Sequence, residues 1–329
     1  MPITINEIAE KCGVSPTTVL RAINGGSIKK ETKELILKTA EKYNYRPNLI
    51  ARSLNNGKTM TIGVVTINID NMYFVQSLNE INMEADKHGY FVNIVVCDDD
   101  VESEKKLIQG LTDRRVDGIL ISPINKGVEF EKYLKSLKIP IVCLGNVVSE
   151  NYTTVQINEM NASIKAVELI VSKGYNRIVF VCPPLSSIND HNIYTHEQRY
   201  KGFLQCAEKN PKVQINIIDK KNYVSDVKKI LSKYKNDKIA FLCSGDVYAL
   251  NVMHFAKEEN LTVPDDFGLM GFDNIDVLKY ITPKLTTVST NLKAVSVTAV
   301  NELLQQINNE DYLPKSIFLN FEILDRETL

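Results

Sequence analysis

Residues 5–24 read I-N-E-I-A-E-K-C-G-V-S-P-T-T-V-L-R-A-I-N. Ile5, Ile8 and Ala9 recur at helical spacing, Gly13 supplies a turn, and a second periodic run goes from Ser15 through Val19 to Ile23. Ser15 suits the cap of that second helix, and Pro16 suits its first position, where a missing N–H has no partner to lose. This is a helix-turn-helix pattern. Two short helices with one apolar seam enclose no catalytic cleft, but the second can lie in a DNA major groove with Pro16, Thr17 and Arg21 projecting outward. The same residues also fit a plain helical hairpin at the edge of a core. Charge separates the two readings: residues 1–60 carry ten Lys/Arg against five Asp/Glu, whereas the remainder carries 29 against 35. A positive head on an acidic body is what phosphate binding by one domain requires, and the overall charge of −1 conceals it.

Working outward, residues 31–43 form a third helix with Leu35, Ile36, Ala40 and Tyr43 facing inward. Tyr45-Arg46-Pro47 breaks the pattern, and residues 48–54 have room for two helical turns, too short to be stable alone. From Thr61 the signal becomes alternating strand and helix. Apolar runs at 62–67, 90–97, 117–122 and 139–144 are separated by helical stretches such as 74–88 and 103–112. A second series follows, with strands at 177–182, 213–218, 239–243 and 267–271 and helices at 160–172, 197–208 and 247–259. From the run at 285–288, through a helix at 292–307 to a strand at 316–321, the chain crosses back and completes the first lobe. Alternation of this kind means parallel sheets covered on both faces.

Several motifs fall in one order and spacing: T-I-x-x-I-A-x-x-x-G-V-S-x-x-T-V from Thr4, R-x-x-N at Arg21 and Y-x-P-N-x-x-A-R-x-L from Tyr45. The body continues with I-G-V-V at Ile62, N-M-Y-F at Asn71, H-G-Y at His88, K-G-Y-x-R-I at Lys173, R-Y-K-G-F at Arg199, V-P-D-D at Val263, G-F-D at Gly271 and L-T-T-V at Leu285. Over its whole length the chain resembles the LacI/GalR (lactose-repressor) family. The resemblance implies an α/β protein: an N-terminal all-α helix-turn-helix head joined to a two-lobed, parallel-sheet sensor similar to periplasmic sugar-binding proteins. The expected divisions are a head at 1–47, a hinge helix and linker at 48–60, and an effector-binding and dimerisation domain at 61–329. Within the last, lobe 1 covers about 61–159 and 291–321, and lobe 2 about 160–290 and 322–329.

Thr17 and Arg21 are expected to read base edges, with Pro16 adding apolar contact, while Thr4, Ser15, Thr18 and Asn24 meet phosphates. The resemblance makes residues 48–54 a hinge helix, with Asn48 near its cap and Ala51 and Leu54 on the DNA side, where Leu54 wedges into the minor groove. Leu20 stands where the family commonly has Ser. One head spans too few base pairs, so a homodimer on a near-palindromic double-stranded operator is expected.

In open α/β sheets ligands bind beyond the carboxyl ends of the strands. Candidate effector contacts there are Asn68, Tyr73, Phe74, Asn146, Arg199, Asp246 and Asp273. Arg199 can fork onto ligand oxygens, the two aspartates can accept from hydroxyls or ring N–H groups, and the rings offer a flat face to a sugar or base; a carbohydrate is the expected effector. The resemblance places effector contacts at Arg199, Asp273 and the loop after the first strand. At Asn146 the family frequently has Asp. A structural ion pair is the alternative for Arg199 with Asp273, and a helix cap for Asp246. The loop 183–196 has the composition of a flexible surface loop, and its His191 and His196 read as solvated; Asp98-Asp99-Asp100 reads as a solvated turn.

No phosphate-binding loop, nucleophile elbow or H-E-x-x-H is present, so no enzyme signature, metal site or cofactor is expected. An enzyme on a doubly wound fold, and a regulator controlled by a protein docking on the body, are the alternative functions. No apolar run approaches the ~20 residues of a membrane span, and the six cysteines include no C-x-x-C pair. The chain therefore reads as cytoplasmic, with reduced, buried thiols.

Overall fold

The computed structural model describes residues 3–23, 26–45 and 57–329. The chain divides into two compact units, Met1–Thr59 and Met60–Leu329. In the first, α1 (Ile5–Cys12), α2 (Pro16–Ile23) and α3 (Lys30–Lys42) close on Ile8, Ala9, Val19, Ala22, Ile36 and Ala40. Thr4 and Glu7 cap α1 reciprocally: the Thr4 hydroxyl accepts from the Glu7 N–H at 3.3 Å, and the Glu7 carboxylate accepts from the Thr4 N–H at 2.7 Å. Gly13 ends the helix at φ +64°, its N–H turned back onto the carbonyls of Ala9 and Glu10. A side chain there would meet the penalty of left-handed backbone, so glycine keeps the turn short. Leu35 and Tyr43, expected inside, are 49% and 41% exposed. So small a core admits only the row nearest α1 and α2, and on α3 that row is Ile36 and Ala40.

The second unit holds two six-stranded sheets among the described residues. The first comprises β1 (Thr61–Thr66), β2 (Phe91–Val96), β3 (Gly118–Ile121), β4 (Ile141–Leu144), β5 (Thr153–Ile157) and β11 (Ser316–Leu319), ordered β11-β5-β4-β3-β1-β2 and parallel throughout. Its helices are α4 (Met72–Lys87), α5 (Val101–Asp113), α6 (Gly127–Ser136) and α11 (Leu292–Asn308). The second comprises β6 (Arg177–Val181), β7 (Gln214–Ile218), β8 (Ile239–Cys243), β9 (Gly268–Asp273), β10 (Thr286–Ser289) and β12 (Glu322–Leu324), ordered β12-β10-β9-β8-β6-β7, with only β12 antiparallel. Around it lie α7 (Glu159–Ser172), α8 (Tyr194–Glu208), α9 (Val224–Lys233) and α10 (Asp246–Glu258).

Two strands escape the sequence reading. The whole of β5, T-T-V-Q-I, is buried although three of its five residues are polar, so neither an apolar run nor alternation marks it. The other, β12, is three residues long. The pairing of α7 with α8 matters most for the site. A Cβ on Gly202 would fall on the Met160 carbonyl oxygen, so these helices touch backbone to backbone where a glycine permits it. That close approach sets Arg199 of α8 beside Glu159 of α7.

Candidate functional site

On the head, Ser15, Pro16, Thr17 and Arg21 are exposed and Thr18 and Leu20 half-buried, while Val19 and Ala22 fill the core from the other face of α2. The Ser15 hydroxyl accepts from the Thr18 N–H at 3.2 Å and lies 2.9 Å from the Thr18 hydroxyl, so it caps the helix. Thr4, expected at a phosphate, has its hydroxyl engaged with Glu7. Lys29 and Lys30 at the start of α3 add exposed positive charge. Asn24, Asn48, Ala51 and Leu54 lie outside the described residues.

In the body, the loops at the carboxyl ends of the two sheets meet, and Arg199 is the centre of what they enclose. It is 3% exposed. Its Nε donates to Glu159 Oε2 at 2.7 Å, Nη1 to the Ser244 carbonyl at 2.6 Å and Nη2 to Asp273 Oδ1 at 3.2 Å. The guanidinium carbon also lies 3.7 Å from the centre of the Phe272 ring. Burial disfavours the charged arginine, but Glu159 and Asp273 outweigh it and hold Arg199 above its usual range. Burial raises both carboxyls above theirs, against the pull of Arg199. Asp273 ends β9 at φ +109°, followed by Asn274 at +58°. Non-glycine residues held there cost on the order of 1–3 kcal/mol and concentrate at functional sites.

Tyr73, from the other lobe, packs on the second sheet's core. Burial raises its phenol, and the nearby charges of Asp273 and Glu159 raise it further. Phe74 meets it edge-on, with ring centres 5.4 Å apart. Asn68 accepts from the Asn71 N–H at 3.0 Å and shapes the turn into α4.

Asp246, expected beside the ligand, has both carboxylate oxygens committed within the protein. Oδ1 accepts from the Thr287 hydroxyl at 2.6 Å and Oδ2 from the Ile275 N–H at 2.9 Å. It is fully buried, and burial moves its carboxyl up to about 7 against those hydrogen bonds. A Cβ on Gly271 would occupy the place of Asp246 Oδ1, which accounts for the glycine of G-F-D.

Asn146 is likewise committed. Its Nδ2 donates to the carbonyls of Pro123 (3.0 Å) and Asn192 (2.8 Å), and its Oδ1 accepts from the Thr195 N–H (3.1 Å) and hydroxyl (2.9 Å). The loop read from sequence as a flexible surface segment is in fact a strap between the lobes. Asn192 donates its N–H to Ile124 (2.7 Å) and its Nδ2 to the carbonyls of Asn125 (3.3 Å) and Val147 (2.9 Å). Buried Glu104 holds the receiving turn, accepting from the N–H groups of Ile124 and Asn125 at 2.9 Å each. Polarity suggests a solvated loop, but the N–H and side-chain amide of Asn192 are satisfied by the opposite lobe.

The histidines are corrected with it. The ring of His191 contacts the Asp99 carbonyl at 3.1 Å, and His196 sits on α8, where burial first and Arg199 second lower it from 6.5 to about 3. The folded protein therefore cannot take up the proton that the unfolded chain accepts below pH 6.5. Stability is lost as pH falls from 6.5 towards 3, by about 1.4 kcal/mol per pH unit from this group. Urea denaturation at pH 7 and pH 5 checks this: the wild type should lose about 2 kcal/mol more between them than His196→Gln.

A basic helix-turn-helix head on an acidic body of two sheets, with a buried polar cluster where the strand ends meet, has the make-up of a DNA-binding regulator with a periplasmic-binding-protein-like domain. Comparison with known proteins agrees. Residues 4–48 match the bacterial regulatory proteins of the lacI family, and residues 167–329 match a periplasmic binding protein-like domain. Catabolite control protein A of Priestia megaterium is 30% identical over 319 residues, covering 94% of each chain. The crystal structure of the lac repressor dimer bound to operator and the anti-inducer ONPF aligns with a TM-score of 0.85 at 24% identity, covering 100% of this chain and 99% of that one. A periplasmic binding protein/LacI transcriptional regulator from Alkaliphilus metalliredigens QYMF, complexed with D-xylulofuranose, aligns with a TM-score of 0.72 at 26% identity, over 82% of this chain and 98% of that one. The chain belongs to the lacI family of bacterial regulatory proteins and is a DNA-binding transcriptional regulator. Its relatives are regulators, not enzymes. No helix among the described residues is long and apolar enough to cross a membrane.

Proposed function

We propose that this regulator is a cytoplasmic homodimeric repressor whose affinity for a near-palindromic operator is switched by a carbohydrate bound between the lobes of its body. The observation that carries the reading is the packing of Tyr73 from one lobe against the core of the other, close enough to the Arg199–Asp273 pair to feel its charges, at the carboxyl ends of the strands. One cation, carboxylate acceptors and an aromatic side chain suit a ligand with many hydroxyl groups. The relative complexed with D-xylulofuranose makes sugars the class to try first. Closure of the lobes on such a ligand biases the short hinge at 48–54, and with it operator binding.

Thermal melting against neutral sugars tests the cleft directly. One series should raise the transition of the wild type and leave Asp273→Asn unmoved; equal shifts in both proteins rule the site out.

At the operator, Thr17, Pro16 and Arg21 read bases and Ser15, Thr18, Thr4 and Asn24 meet the backbone, with Asn48, Ala51 and Leu54 contributing from the hinge. Because Arg21 is exposed, Arg21→Ala should leave the melting of the protein unchanged. Operator discrimination should fall by roughly 1–3 kcal/mol, about fivefold to a hundredfold or more. Unaltered operator preference in this variant would move base reading elsewhere.

A further inference from the structure

Resting on the cleft reading above, we propose that the effector carries an amino group as well as hydroxyls, and that Glu159 selects for it. Arg199 faces two carboxylates, so the buried cluster of Arg199, Glu159 and Asp273 has an excess of one negative charge when ionised. Only one oxygen of each carboxylate is occupied: Glu159 Oε2 and Asp273 Oδ1 hold the guanidinium. The remaining oxygens, Glu159 Oε1 and Asp273 Oδ2, accept no hydrogen bond from the described residues.

Two further buried polar atoms lie on the same side without partners. The Ser244 hydroxyl is fully buried and unbonded, on the residue whose carbonyl receives Arg199. Strand alternation places it on the face of the second sheet that α7 and α8 cover, since Ala240 and Leu242 before it belong to that core while Phe241 and Cys243 belong to the other. Nδ1 of His196, one turn before Arg199 on α8, is also buried and unbonded.

Free carboxylate oxygens and an unpaired imidazole nitrogen leave the cluster rich in acceptors and, with both carboxylates ionised, short of one positive charge. An ammonium group supplies three N–H donors and that charge together. A phosphorylated or carboxylated sugar would add a second uncompensated anion and is excluded by the same count. Burial raises the carboxyls of Glu159 and Asp273, and an ammonium group beside them would favour their ionised forms, as Arg199 already does. Glu159 thereby acts as more than a clamp on Arg199: its second oxygen distinguishes an amino sugar from its parent.

The test is calorimetric titration of the full chain with matched sets in the pentose and hexose series, each a neutral sugar, its amino-deoxy counterpart and its sugar acid. For one set the amino sugar should bind at least about tenfold tighter than the neutral parent, with no binding of the acid. In Glu159→Gln, which keeps an oxygen for the Arg199 Nε–H, the ratio of amino-sugar to neutral-sugar affinity should shrink to about twofold or less, whatever the change in affinity for the neutral sugar itself. The melting temperature of the variant, read alongside, establishes that it is folded. A neutral sugar that binds as tightly as the amino sugar, or a preference untouched in Glu159→Gln, overturns this inference and leaves the cleft reading standing. Failure of every sugar to bind overturns both.

Discussion

Replacing Arg199 with methionine lowers the stability of the two-lobed unit by about 3–5 kcal/mol, the cost of leaving a buried ion pair without one partner. The arginine is the only cation contacting Glu159 and Asp273 among the described residues, and both carboxylates are nearly inaccessible to water. Without it they must ionise in a low-dielectric site or remain protonated. The deficit in Arg199→Met should therefore shrink as pH is lowered from 7 to 5, because protonation relieves the repulsion. The triple variant Arg199→Met, Glu159→Gln, Asp273→Asn should recover much of the loss, since removing all three charges removes the unmatched ones. Denaturant unfolding at the two pH values measures all of this. A loss below about 1 kcal/mol would class the triad with solvated surface pairs and remove the basis for a polar cleft.

Gly202→Ala is the second large effect. Its Cβ meets backbone, the Met160 carbonyl, which has no rotamer by which to yield. The helices α7 and α8 must separate, at a cost of about 1–3 kcal/mol or more. Separation also draws Glu159 from Arg199, so ligand response in the cleft should fall more than the loss of stability alone predicts. Gly63→Ala is the contrast: the atoms nearest its Cβ belong to the Leu111 side chain, which can shift, so cleft binding should survive. Equal effects on ligand response in the two variants would separate the α7–α8 contact from the site.

That comparison shows what the sequence reveals and what it conceals. R-Y-K-G-F advertises both Arg199 and Gly202, and the head is legible because its helix periodicity, turn glycine and cap are all local signals. The strands with apolar runs are legible for the same reason. Glu159 is concealed: it lies 40 residues from its partner on another helix, and nothing local separates it from the solvated glutamates around it. Asp246 and Asn146 mislead in the opposite direction. Both stand where strand ends place ligand-binding groups, but only the tertiary hydrogen bonds reveal that Thr287 and Ile275 occupy one and Thr195 and Asn192 the other. The polar strap through Asn192 has the composition of a solvated loop, and its burial depends on a lobe more than 40 residues away in sequence.

The most direct test of the central claim is binding of the purified protein to operator fragments at two salt concentrations, with and without neutral, amino and acidic sugars. The account predicts a steep fall in affinity with salt, from phosphate contacts by the basic head, and a change in affinity with one class of sugar. Operator affinity that ignores every sugar would contradict the switch, and affinity that ignores salt would contradict the DNA-binding face itself.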